Sequence, residues 1–356
     1  MRITALLPLI AAGCVSAEDS LGELELRATN ATNEGCRPAL CGLNAHDLTD
    51  GYFHELNLDG LANDDGFSLV DVRKNGLVYN LVVTNGKITA TRLAVNGVLS
   101  GQELVGLEIR MRRTGSSTIR ILKIEGVSNA NYWAKPFPSS PPPSLETYKF
   151  SYAVGTGGMK DWVCQNGDAF YDAGTSYVPM APHHAVVFEG DRIDVESLTF
   201  QHVQQVPGQA NRWFTIGCAE TALAKVHLNG QTKAAQGVGF SSTTFQRQAF
   251  LKLIMADYCG NGVSFTENAH PLRWRDGAGT MTFPVTEAVE LEALWDQNGA
   301  TCLNTPRLTA NPTDESLAAW PNGPEGLIRL LCGGQLPPPC PTWVSSSQLR
   351  SYNPQL

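Results

Sequence analysis

Three Asn-Gly dipeptides follow one another along the chain, Asn75-Gly76, Asn85-Gly86 and Asn96-Gly97, at spacings of 10 and 11 residues. In a type I′ turn both central residues have positive φ, which Asn and Gly tolerate best, and the twist of that turn suits two antiparallel strands. A stretch punctuated so regularly reads as a run of hairpins. The segments between the turns, Leu77–Thr84 and Lys87–Val95, have strand length, and Ile88, Ala90 and Arg92 share one face of the second. Further on, Leu107 to Arg112 alternates, Thr114-Gly115-Ser116-Ser117 turns the chain, and Thr118 to Ile124 alternates again. That hairpin puts apolar side chains inward and Arg and Lys outward. Residues 51–135 therefore read as an antiparallel β sandwich or small barrel. There is no βαβ pattern, which speaks against a nucleotide-binding fold.

Pro136 to Ser144 holds five prolines in nine residues and reads as an extended linker, residues 136–144, after which a second unit would run over 145–340. A strand-like stretch, Glu146 to Val154, either pairs back onto the first sheet or opens that unit. Residues 155–215 read as loop-rich, with one strand over Arg192–Phe200. Helical patterns follow. Cys218 to Leu228 groups Ala222, Leu223 and Val226 and stops at Asn229-Gly230, a C-cap pair. Thr243 and Gln246 stand in capping-box register, and Phe250, Ile254 and Tyr258 fall at helical spacing behind them. This helix is expected to end on Asp257, Tyr258 and Cys259 and to break at Gly260-Asn261-Gly262. Another is expected over Thr286–Asn298, with Glu287 and Glu290 near its start and Gly299 after its end. Leu327 to Cys332 is a strand or a helical turn, and the Pro-rich tail, residues 341–356, is expected to be held through Cys340. The fold class is α+β: an antiparallel β sandwich or small barrel followed by a disulfide-rich α+β module.

The first residues set the compartment. Arg2 precedes an apolar run, Ile3 to Ala12, too short to span a bilayer and shaped like an export signal over residues 1–17. Ala11-Ala12-Gly13-Cys14 resembles a lipobox, which would make Cys14 the lipidated first residue; Val15-Ser16-Ala17 offers ordinary cleavage before Glu18. Residues 18–50 read as an irregular arm. Of nine cysteines, removing Cys14 leaves eight, Cys36, Cys41, Cys164, Cys218, Cys259, Cys302, Cys332 and Cys340, enough for four disulfides in an oxidising compartment. With no Cys-x-x-Cys and no His at finger spacing, a zinc site is a poor reading. A net charge of −8 argues against a nucleic-acid partner.

Met255-Ala256-Asp257-Tyr258-Cys259-Gly260 resembles the signature of the ADYC-domain family, a group of bacterial exported proteins. Phe214 to Cys218, then Ala222-Leu223-Ala224-Lys225, resembles the helix that precedes the signature, although Val226 stands where the family often has a second Cys. The family's His-Thr and Gly-Thr turn is replaced here by Gly262 to His270. The resemblance covers roughly residues 214–303 and implies export, without a mechanism.

Within the signature, the Asp257 carboxylate is expected to accept the backbone N–H groups of Gly260 to Gly262, offsetting its unfavourable place at a helix C-terminus. Tyr258 is expected on the apolar face with one buried partner, and Cys259 as half of a disulfide. The catalytic reading would make Cys259 or Asp257 act with His270 or the His183-His184 pair. Asp191 and Asp194 are candidate glycosidase acids. Asp59 to Gly66 is a polar turn that fails the EF-hand register, with Leu61 and Val72 where acids are required. Gly155 to Gly158 has no strand–helix frame for phosphate. No cofactor or metal is implied. The sequence thus points to an envelope protein that binds another protein or a glycan, attached to the membrane if Cys14 is acylated, with an extracytoplasmic hydrolase as the alternative. The lipobox reading predicts acyl chains on Cys14 in protein recovered from its envelope; an intact mass starting at Glu18 would identify ordinary cleavage instead.

Overall fold

The computed structural model describes residues 46–47, 52–92, 97–136, 141–155, 161–164, 180–194, 197, 199–201, 212–219, 221–266, 272–276, 289–307, 323–342 and 348–354. Cys14, Cys36, Cys41, Asn96 and His270 lie outside them. A short ladder joins β1 (His46–Asp47) to β2 (Tyr52–Phe53). The main sheet begins with β3 (Glu55–Asn57), β4 (Phe67–Lys74), β5 (Leu77–Thr84), β6 (Lys87–Arg92) and β7 (Val98–Ser100). It continues with β8 (Glu108–Arg113), β9 (Ile119–Asn131), β10 (Ser144–Val154), β11 (Asp161–Trp162) and β12 (His184–Glu189). After a small hairpin of β13 (Arg192–Asp194) and β14 (Thr199–Gln201), β15 (Trp213–Cys218) returns to it. The order is β3-β15-β12-β10-β9-β8-β4-β5-β6-β7, with β11 on β10. Asn75 and Gly76 have φ of 51° and 78°, and Asn85 and Gly86 have 53° and 74°, as type I′ turns require.

This sheet turns back on itself. Ile88 N donates to Tyr148 Oη at 2.8 Å, tying β6 to β10, and the Phe53 and Phe67 rings meet edge-on at 5.9 Å. The space between the layers is filled by Val72, Leu81, Val83, Ile88, Ile109 and Met111 from one side and Tyr148, Phe150, Val187, Phe214 and Ile216 from the other. The Pro-rich stretch is the connection of the β9–β10 hairpin: Asn131 pairs with Ser144, and the ladder continues to Arg120 opposite Val154. One sheet thus runs through both units expected from the sequence.

The loop-rich expectation for 155–215 overlooked β12, a strand buried along its whole length. All six of its residues are buried. Ala185 and Val187 face the sandwich core; Val186 and Phe188 face a second core under the helices. Burying each large apolar side chain there contributes roughly 1.5–3 kcal/mol. Against this face lie α1 (Ala222–Leu228), capped by Thr221, and α2 (Thr244–Met255), capped by Thr243 and Gln246. Cys218 ends β15 instead of starting α1, because Gly217 lies where a Cβ would meet Ala224 N at 2.8 Å, so the strand must finish before the helix can pack on it.

Beyond α2 the chain builds a second sheet, β16 (Arg273–Arg275), β17 (Val289–Asp296), β18 (Gly299–Leu303) and β19 (Leu349–Pro354), in the order β16-β19-β17-β18. Three expectations change here. The helix over Thr286–Asn298 is strand β17, whose Asn298-Gly299 leads into β18. Leu327–Cys332, expected as a strand or a helical turn, belongs to a longer helix, α3 (Gly323–Leu331). The tail is held by more than Cys340, since β19 pairs with both β16 and β17.

Two buried contacts weld the β5–β6 hairpin tip to the helical side. Glu189 accepts the N–H groups of Asn85 and Gly86 at 2.7 and 3.2 Å. Gly86 also abuts His227, where a Cβ would stand 3.1 Å from Nε2. His227 itself is fully buried, bonded to Tyr132 Oη at 3.1 Å and Thr232 Oγ1 at 2.8 Å and stacked on Phe188. Burial lowers its pKa to about 3. The unfolded chain therefore takes up a proton near pH 6.5 that the folded chain refuses. Stability should fall as pH drops from about 6.5 towards 3, by ~1.4 kcal/mol per pH unit from this group. Denaturant titrations across that range should show a shallower decline for His227→Gln; an unchanged slope would remove His227 as the cause.

Candidate functional site

The signature segment begins where α2 stops. The helix ends at Met255, earlier than expected, because Ala256 adopts the left-handed conformation (φ 53°, ψ 36°) and closes the last turn by donating to Leu253 O. Asp257 therefore lies beyond the helix. Its Oδ1 accepts from Asn261 N at 3.1 Å, and its Oδ2 accepts from Gly262 N at 2.9 Å, as the Gly-Asn-Gly turn suggested. The Lys252 ammonium, which sequence reasoning did not place there, donates to Oδ2 at 2.5 Å and to Ser197 O at 2.9 Å. Both side chains are buried. Burial pushes the Asp257 carboxyl above its ordinary range, while Lys252 and the two N–H groups pull it down. Only donors surround the two oxygens, so the ionised form is the one this nest fits.

Tyr258 finds its expected buried partner in Glu292, donating at 2.6 Å. Arg307 grips the same carboxylate from Nε at 2.8 Å and Nη2 at 3.0 Å. It also donates from Nη2 to Leu253 O at 2.9 Å and from Nη1 to Ile254 O at 3.4 Å, adding donors to carbonyls of the last turn of α2. Burial would raise the Glu292 carboxyl, but Arg307 and Tyr258 outweigh it and hold it below its ordinary value. Burial, and then the Glu292 charge, push the Tyr258 hydroxyl well up. Cys259 is bonded to Cys332. Gly260 has φ 69°, and a Cβ there would lie 1.7 Å from Asn298 O, so the backbones touch; Ala300 N donates to Tyr258 O at 2.9 Å beside them.

The sequence profile described as ADYC domain matches residues 101–309, more than half of the 356-residue chain. The chain belongs to the ADYC domain family. No curated protein and no solved structure matches it. The ADYC match starts at Gly101, inside the sandwich, and takes in β8, β9 and β10 as well as the signature, in keeping with the continuous sheet. Two further disulfides belong to the domain and its flank, Cys164–Cys218 and Cys302–Cys340.

The other candidates are dispersed. His183 stacks on Trp162 and bonds Cys164 O at 2.9 Å; His184 is buried against Thr147 Oγ1 at 2.9 Å, and burial lowers its pKa. Asp191 accepts from Arg247 at 3.2 Å and from Lys233 N, whereas Asp194 caps Ser197 N at 2.8 Å, so the pair do not share a task. Asp59 pairs with Arg212, and Asp64 with Arg192. Among the described residues no group of three His, Cys, Asp or Glu is placed to hold a metal.

Sequence reasoning missed an open groove of about 630 Å³. It lies between the first turns of α2, the β17–β18 hairpin and the starts and ends of β19, β16 and α1, bringing together Phe245, Gln246, Asp276, Trp295, Asp296 and Gln297. These residues are spread over 245–297 with no shared local pattern. The buried pair also generates a test. Asp257→Ala strands the Lys252 ammonium and should cost about 3–5 kcal/mol in denaturant unfolding, and adding Lys252→Met should restore much of it. An equal loss in the double variant would show that the pair does not hold the segment.

Proposed function

We propose that this ADYC-domain protein is an extracytoplasmic binding protein, exported by its N-terminal signal and anchored through Cys14, whose ligand occupies the groove beside α2. The observation that carries this reading is the complete internal use of the signature. Asp257, Tyr258 and Cys259 are each bonded to protein groups in the core, so none is offered to a substrate. At the other end of α2, Phe245, Gln246 and Ala249 line the groove, whose volume falls in the range of small-molecule sites. The disulfides Cys164–Cys218, Cys259–Cys332 and Cys302–Cys340 fit an oxidising compartment. The hydrolase alternative would fall to the two groove carboxylates. Asp296 is exposed, and its carboxylate already accepts the Asn298 N–H at 2.7 Å.

The test is hydrogen-exchange mass spectrometry with size-fractionated fragments of the cell envelope. Saturable protection of residues 240–249 and 295–301, with the ligand recovered intact, is expected. Phe245→Ala should weaken binding about tenfold with unchanged melting. Cleaved ligand would establish the hydrolase, and protection confined to other segments would displace the groove as the site.

A further inference from the structure

We infer that the groove takes an uncharged or amino-bearing oligosaccharide, stacked on Phe245. This rests on the groove being the ligand site and adds the class of ligand. Phe245 stands at the second residue of α2 with 68% of its surface exposed, while Trp295 and Phe240 form buried walls nearby. A ring left in water at a groove mouth gains roughly 1.5–3 kcal/mol when an apolar face covers it, and the C–H face of a sugar is such a cover.

Around the ring the groove is polar in a particular way. Gln231, Gln246, Gln297 and Gln348 line it with Ser241 and Thr301. An amide side chain and a hydroxyl both donate and accept, which matches sugar hydroxyls that do the same. The charges on the lining are Asp276 and Asp296, and no Lys, Arg or His belongs to it among the described residues. An acidic ligand would find no cation on this lining and would be repelled by the exposed Asp296 carboxylate, while an amino group would be attracted to it. A peptide strand is less well served. The strands supplying Trp295 and Leu349 are each paired on both edges, and on the edge strand β18, which supplies Thr301, the Ala300 and Leu303 N–H groups already donate to Tyr258 O and Pro338 O at 2.9 Å.

The experiment titrates full-length protein, by calorimetry and hydrogen exchange, with four probes: tetra-N-acetylchitotetraose, its deacetylated form, a heparin tetrasaccharide and a mixture of tetrapeptides. The expected result is binding of the first two with protection of residues 240–249 and 295–301. Phe245→Ala should lose at least about tenfold and Phe245→Trp should retain binding. Asp276→Asn with Asp296→Asn should weaken only the deacetylated probe. Heparin bound as tightly as the neutral sugar would overturn the inference. Peptides protecting the groove while no sugar does would overturn it and leave the groove as a binding site. No protection of the groove by any probe would overturn both.

Discussion

The fold depends on a strand that has no solvent face. β12 sits with Ala185 and Val187 in one core and Val186 and Phe188 in the other, so a single layer of backbone serves as the wall of both. The sandwich cannot be separated from the helical layer without exposing one side of that strand. The β5–β6 tip is then fixed to the strand's end, where Glu189 answers two backbone N–H groups that a turn would normally give to water. This explains why the family match crosses the Pro-rich stretch: the domain is a set of layers around β12, and Asn131 and Ser144, on either side of that stretch, pair within one sheet.

Charge is used in the second core in a way that favours uniqueness over raw stability. Lys252–Asp257 and Glu292–Arg307 are buried pairs, and the removal of two charges from water costs several kcal/mol before their attraction returns any of it. Each pair is consistent with that cost only because its remaining hydrogen-bonding positions are filled. Arg307 spends donors on the end of α2, Tyr258 fills Glu292, and the Gly-Asn-Gly backbone fills Asp257. The signature tetrapeptide is thus a junction between a helix end, a disulfide and the β17–β18 turn, where Gly260 and Asn298 meet backbone to backbone.

Features that live in a few neighbouring residues were legible in the sequence. The Asn75-Gly76 and Asn85-Gly86 hairpins, the Thr243–Gln246 capping box and the nest of Asn261 and Gly262 N–H groups over Asp257 are local and appear as read, whereas Gly97 does not take the positive φ that a third such turn would need. Features that depend on distant partners were not. The sequence over 286–299 has Glu287 and Glu290 followed by Gly299, a helix signature, yet Glu292 is buried on β17 because Arg307 and β19 are waiting for it. β12 lacked alternation because both faces are buried, which period-two reading cannot register. The groove was invisible for the same reason: Phe245, Asp276 and Trp295 are brought together by packing alone.

The cystine pattern has a consequence for how the chain matures. Cys259–Cys332 and Cys302–Cys340 interlock, each bridge enclosing one cysteine of the other, across separations of 73 and 38 residues. A chain entering an oxidising compartment from its N-terminus presents Cys259 and Cys302 together well before Cys332 arrives. An oxidase that joins cysteines in order of appearance would link those two first. Reaching the interlocked pairing then requires thiolate attack on that early bond and exchange, a reshuffling step that takes seconds to hours unless it is catalysed. In such a compartment a catalyst of thiol–disulfide exchange would shorten that step, whereas the Cys164–Cys218 bridge joins cysteines that are neighbours in order of appearance.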